Sequence, residues 1–510
     1  MNVQKSNIKL VVAGLLLGIL MSAMDNTIVA TAMYTIVEDL GGFNQIVWVT
    51  SAYMVAVMAG TPIFGKLSDM YGRKRFFIFG LVVFLAGSML CGMAQNMTQL
   101  IMFRAIQGIG GGALMPIAFT IVFDLFPPEK RGKMTGLLGA VFGTSSILGP
   151  MLGAFITDSI GWEWVFYVNV PIGIISFILI VTSYRETLSH AKQKIDWTGA
   201  ITLVGAIICL MFALELGGQE YGGTVYAWDS PQILGLFAGF LVLLIVFLYT
   251  ETKAAEPIIS FKMFQKRLFA SSNVIALCYG AGFIVATVYI PIFVSGVYGG
   301  SATNSGLILM PMMIGSVFGS QLGGILTTKT TFRNIMTISA ICFIAGIFSL
   351  STLSPETSRT MLTLFMILTG FGVGFSFSVL SMASIHNFDA RQRGAATSTN
   401  SFLRSLGMTV GITIFGIIQR NVFTDKLAAG MTGGNMPSGV SFDADAAMSS
   451  DVLDKMPPAI REHAINSLAD SISQAFLWAL VPAVLAFIFV LMMGNERVVV
   501  KPKAPKQTAN

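Results

Sequence analysis

Two charged residues interrupt runs that are otherwise apolar. Asp25 falls inside LVVAGLLLGILMSAMDNTIVATAM near the start of the chain, and Arg104 falls inside the run that begins near residue 99. A charge at the centre of a membrane helix costs at least about 2.5–3.5 kcal/mol, so it is kept where it has a partner, a proton or a ligand to handle. The chemistry open to such a pair is proton exchange: a guanidinium holds the carboxylate while it is charged and loses its hold when it is protonated. A first helix starting near residue 9 puts Asp25 about 24 Å along it. A fourth helix entering from the opposite side near residue 99 puts Arg104 about 22 Å up a core of about 30 Å. The spacing therefore predicts one height for both, in the outer half of the bilayer. Asn26, Gln107 and Met115, on the same two segments, are candidate pocket residues.

Two uncharged or mixed motifs point to moving parts. Between the second and third apolar runs the chain reads GKLSDMYGRKR, residues 65–75. Gly65 and Gly72 permit a tight turn there, while Asp69 and Arg73 can lock neighbouring helix ends by charge-assisted bonds. Residues 143–154, GTSSILGPMLGA, carry Gly143, Gly149, Pro150 and Gly153 and no charge. Small residues and a proline allow close helix approach and bending, and a plain kinked helix is the alternative to a gate.

The elements that must hold these residues follow from composition. The chain is 54% hydrophobic and 11% charged, against roughly 25% charged in ordinary soluble domains. Apolar segments of about 20 residues recur along its length, each sufficient to cross a bilayer core. An all-α polytopic membrane protein is predicted, with a permanent first helix rather than a cleaved signal. Fourteen spans are predicted, near 9–34, 45–65, 76–96, 99–123, 134–157, 164–184, 197–217, 231–251, 268–294, 303–326, 333–352, 359–382, 397–420 and 474–494. Basic residues then alternate cleanly. Arg73–Arg75, Lys130–Lys133, Arg185–Lys194, Lys253–Arg267, Lys329–Arg333, Arg391–Arg393 and the tail from Arg497 all bound clusters on one side. By the positive-inside rule that side, with both termini, is cytoplasmic. The long loop 421–473 is predicted to be an extracellular solvated connector.

Sliding the sequence on itself by 262 residues superimposes Gly108, Gly110 and Gly112 on Gly370, Gly372 and Gly374, and Arg131-Gly132 on Arg393-Gly394. The repeat divides the chain into a six-helix bundle over 1–190, two inserted helices over 191–260, and a second six-helix bundle over 261–510. Parallel repeats are a transporter signature. The repeat fails at Arg104, which falls on Met366, and around Gly324–Arg333, where Thr328 stands in place of Asp69. Ionisable machinery is thus expected in the first half and a substrate pocket in the second.

Gly65, Leu67, Asp69, Gly72 and Arg73 at this spacing resemble the signature loop of the major facilitator superfamily. Arg104 through Gly108 looks like its fourth-helix arginine motif, and residues 143–154 are similar to the fifth-helix motif of its drug antiporters. Asp25-Asn26-Thr27-Ile28-Val29, Trp162-Glu163-Trp164 through Asn169-Val170-Pro171, Asp196-Trp197-Thr198-Gly199 and Glu256-Pro257 resemble the fourteen-helix drug:proton antiporter branch (the QacA/EmrB type). Ala30, Tyr34, Glu163 and Ser295 depart from its usual residues. The resemblance implies the major facilitator fold and proton-driven efflux of amphipathic, often cationic, drugs. It implies proton-coupling roles for Asp25 and Arg104 and gating roles for the two glycine motifs.

Other classes find little support. No phosphate-binding loop ending in Lys-Ser/Thr appears, which disfavours ATP-driven pumping. No acid, base and nucleophile cluster suggests an enzyme, and His190, His386 and His463 suggest no metal site. Cys91, Cys209, Cys278 and Cys342 read as small buried side chains. No cofactor is expected. The expected partners are small molecules, protons and lipid, not nucleic acid, and a monomer is expected. The alternatives are a dedicated exporter of an endogenous metabolite or signalling molecule, with Arg104 binding an anion, and a non-transporting membrane sensor.

Overall fold

The computed structural model describes residues 7–41, 45–186, 195–221, 224–298, 308–431 and 458–498. The first bundle contains α1 (Ile8–Leu40), α2 (Ile46–Tyr71), α3 (Arg73–Gly92), α4 (Met97–Leu125), α5 (Pro128–Ile160), α6 (Glu163–Tyr167) and α7 (Asn169–Ser183). The inserted pair is α8 (Trp197–Leu216) and α9 (Pro231–Lys253), joined through a hairpin of β1 (Gln219–Tyr221) and β2 (Thr224–Tyr226). The second bundle contains α10 (Phe261–Phe264), α11 (Arg267–Val297), α12 (Met310–Leu326), α13 (Phe332–Leu350), α14 (Arg359–Ile385), α15 (Arg393–Met431) and α16 (Pro458–Met492). Among the described residues 13 helices are long and apolar enough to cross a membrane, and α12 is a shorter apolar helix. That agrees with fourteen predicted spans. The sixth span consists of α6 and α7, and the hairpin is a small β element in an otherwise helical chain.

Local chemistry sets the helix starts. Asn96, Asp196, Ser230, Thr331 and Ser358 each accept a bond from a backbone N–H three residues on, which satisfies a donor the first turn leaves unpaired. Gly72 separates α2 from α3 at φ 113°, a conformation costly for any side chain bearing a Cβ. The exposed face of α9, with Leu241, Val242, Ile245 and Tyr249, is apolar and suited to lipid. The inserted pair docks through α8, whose Leu203, Ile207 and Met211 cluster with Met58 of α2 and Phe402 of α15.

The connector predicted over 421–473 is corrected by the fold. Helix α15 continues to Met431 and α16 begins at Pro458; residues 432–457 lie outside the described residues. Phe423 and Leu427 on α15, and Ala464, Leu468 and Ile472 on α16, form buried stripes at helical spacing. Gln419 donates to Ser471 Oγ at 3.0 Å, and Lys426 pairs with Asp470. A hydropathy reading ends a span at the first polar residues, whereas an amphipathic stripe lets the paired helices run on together.

Candidate functional site

The first bundle holds a buried polar network built by α1, α3, α4 and α7. Asp25 and Arg104 are both fully buried and form an ion pair through Asp25 Oδ2 and Arg104 Nη1. Gln107, one turn along α4, donates from Nε2 to Asp25 Oδ1 at 2.7 Å and accepts from Arg104 Nη1 at 2.7 Å. Asn169, at the start of α7, donates to Asp25 Oδ1 at 3.0 Å and to Ser88 Oγ at 3.0 Å. Ser88 in turn donates to the Phe166 carbonyl at 2.8 Å. Arg104 Nε donates to the Val49 carbonyl at 3.2 Å, and its guanidinium lies 4.3 Å from the centre of the Tyr53 ring. Two buried atoms of this network, Arg104 Nη2 and Asn169 Oδ1, have no hydrogen-bond partner among the described residues. A carboxylate that receives three donors is acceptor-only; protonation turns one oxygen into a donor and breaks this arrangement.

The predicted lock lies at the other end of α4, about 30 Å away over the 20 residues from Arg104 to Asp124. Asp69, buried at the end of α2, accepts from the backbone N–H of Gly394 and of Ala395, each at 2.9 Å. It therefore caps the first turn of α15 in the second bundle, where the helix dipole favours an anion. Arg73 donates to Asp69 at 3.2 Å and to the Ala390 carbonyl, and it pairs with Asp124. Arg393 reaches Asp124 Oδ1 at 3.0 Å. Lys66 pairs with Glu256 at 2.7 Å and so ties the inserted segment to the same corner.

A second crossing obeys the internal repeat. The N-terminus of α15 lies on α2 of the first bundle, and the N-terminus of α5 lies on α12 of the second. A Cβ at Gly394 would collide with the Gly65 carbonyl, and one at Gly132 with the Gly324 carbonyl. The first crossing carries the acid; at the second, Thr328 donates to the Ile325 carbonyl at 3.0 Å. Ser320 donates to the Gly136 carbonyl at 3.3 Å and Thr120 to Thr397 at 3.4 Å. The basic end is closed in this conformation.

Helix α5 runs from the second crossing to the helix that carries Asp25. Gly143 abuts Val317 of the second bundle, so this end of the motif does lie between the halves. Gly149 and Gly153 instead face α1: a Cβ on either would overlap the hydroxyl of Thr27 or Thr31. Thr27 stands two residues from Asp25, so α5 touches α12 through Gly143 and the carboxylate's helix through Gly149. Pro150 lies within α5, which remains helical through it.

The remaining candidates divide. Gln107 belongs to the charge network rather than to an open pocket, and Met115 packs against the first-bundle core. The Asn26 side chain lies outside the described residues. Lys192, Lys194 and the tail lysines also lie outside them. Sequence reasoning missed Ser88 as a network member and assigned no bond to Asn169. It also missed Arg404, a charge inside the thirteenth span that the rule applied to Asp25 would have found.

Two similar helical bundles, one with a buried charge pair and both meeting at a charged lock, have the architecture of a membrane transporter built on a parallel repeat. The Major Facilitator Superfamily profile matches residues 15–412. A relative described as multidrug resistance protein 3 of Bacillus subtilis (strain 168) is 60% identical over 97% of each chain. The multidrug transporter protein MdtP of the same organism is 36% identical over 96% of this chain and 94% of its own. In fold, the proton:xylose symporter XylE aligns with a TM-score of 0.63 at 13% identity, covering 96% of this chain and 97% of that one. The chain belongs to the major facilitator superfamily, within a family of drug-efflux transporters.

Proposed function

We propose that the protein is a proton-driven exporter of amphipathic small molecules, acting as a monomer in the plasma membrane with the basic end and both termini cytoplasmic. The observation that carries the reading is the buried Asp25–Arg104 pair, set about 30 Å from a closed lock by the length of α4. The names of the two bacterial relatives support drug efflux, and the clustering of basic residues supports the orientation. When Asp25 is charged, Arg104, Gln107 and Asn169 hold α1 against α4 and α7. Protonation weakens that hold, α1 shifts against Gly149 and Gly153 of α5, and α5 moves across α12. The Asp69 and Asp124 contacts then open and the cavity faces the cytoplasm. Release of the proton there restores the pair.

The test is proteoliposomes under an imposed pH gradient, with internal pH and substrate followed together. Proton movement should accompany export of an amphipathic dye in a fixed ratio. Dye transport with no proton movement refutes the antiport reading.

A further inference from the structure

Arg404 lies 11 residues into α15 from Arg393, about 16 Å above the lock and so near the bilayer midplane. Arg73, Arg104 and Arg393 each pair with a carboxylate. Arg404 does not: its Nη1 donates to Ser376 Oγ at 2.9 Å and its Nη2 to the Ser376 carbonyl at 3.1 Å. No described acid pairs with it. Two of the five N–H groups of a guanidinium are thus engaged by neutral oxygens, and the charge is left uncompensated.

Its surroundings place it on the inner face of the second bundle. The guanidinium lies 4.7 Å from the centre of the Phe377 ring, and Phe377 stands 5.3 Å from Phe142 of α5 across the bundle interface. Phe283 of α11 closes on the same ring at 5.9 Å. The Arg404 backbone carbonyl packs so tightly on α11 that a Cβ at Gly280 would overlap it. The residue as a whole is half-buried. A cation fixed on an aromatic floor inside the membrane, held by one hydroxyl and one carbonyl with no described acid, marks a candidate substrate contact.

We propose that Arg404 is an acid-binding site on the inner face of the second bundle, where the carboxylate of an amphipathic organic acid or zwitterion docks on the guanidinium. Arginine's planar fork matches a carboxylate at two points, which a point charge cannot do. The apolar body of the cargo lies against Phe377, Phe142 and Phe283. Cationic cargo without an acid gains nothing here and is repelled. The proposal rests on the export reading and names its substrate class.

The test uses the full chain and two probes, a xanthene dye with a free carboxylate and the ethyl ester of the same dye. In proteoliposomes, Arg404→Gln should raise KM for the acid at least tenfold and change that for the ester less than twofold. Arg404→Lys should recover part of the loss, since it restores charge without the fork. Equilibrium binding in detergent, with no gradient, separates this proposal from proton coupling. Acid-selective binding that disappears in Arg404→Gln supports the site even where gradient-driven transport is absent. Equal binding of acid and ester to the unaltered protein overturns it, and so does an equal loss of both in a folded Arg404→Gln variant.

Discussion

Replacing Asp25 by asparagine removes one charge and almost no volume, so its effect can be worked from the network. At about 4 Å and an effective dielectric of 20, the Asp25–Arg104 attraction is about 4 kcal/mol. Three donors converge on the carboxylate from Arg104, Gln107 and Asn169. An asparagine has a single acceptor oxygen, so its amide N–H₂ must face either the guanidinium or the two neighbouring amides. One neutral bond returns about 1 kcal/mol, leaving a deficit of about 3 kcal/mol. That is roughly 150-fold in any equilibrium that depends on the pair. Because the variant imitates a permanently protonated Asp25, the loss should fall on coupling rather than on folding. In proteoliposomes, pH-driven export should fall about 100-fold, while downhill exchange of labelled substrate persists and the thermal midpoint in detergent drops by only a few degrees. Export that stays within threefold of the unaltered protein, at an unchanged proton-to-substrate ratio, removes Asp25 from the mechanism.

Three further outcomes follow from the packing. Gly132→Ala sets a methyl against the Gly324 carbonyl and should destabilise closure of the basic end by about 2 kcal/mol, roughly 30-fold. Impermeant thiol labelling of a cysteine placed at Thr397 should rise by that order, and unchanged labelling contradicts the crossing. Gly149→Ala presses on the Thr27 hydroxyl and the α1 backbone; it should slow transport or produce a proton leak, with substrate binding retained, and normal coupled transport refutes the link. His386 lies outside the spans, where burial lowers its pKa from 6.5. The folded protein then binds fewer protons there than the unfolded chain, so this stabilisation is present above pH 6.5 and is lost as the pH falls below it. His386→Gln should flatten the dependence of the thermal midpoint on pH below 6.5, and identical curves exclude the residue.

Legibility varied with the range of the interactions involved. The spans were readable because a bilayer demands long apolar segments whose backbone bonds close within the segment. The limits of α15 and α16 were not, because Phe423, Leu427, Leu468 and Ile472 become a buried stripe only when the two helices lie together. The common height of Asp25 and Arg104 followed from rise per residue alone. Which helix faces met did not, since rotation about a helix axis depends on neighbours. Asn169 and Ser88 join the network by that rotation. So does the placement of Gly149 and Gly153 against α1, when a site between the halves was expected.

The sequence by itself determined a helical membrane protein built on a repeat of 262 residues, with an acid and an arginine at one level of the bilayer. These are consequences of hydropathy, helix geometry and local spacing, which act within a segment. Only the tertiary structure decided that Asp69 caps a helix of the opposite bundle, that Gly149 of α5 packs on α1 beside Asp25, and that Arg404 bonds to Ser376 and to no described acid. Each depends on side chains brought together from distant segments, and the packing of helices against one another sets those meetings.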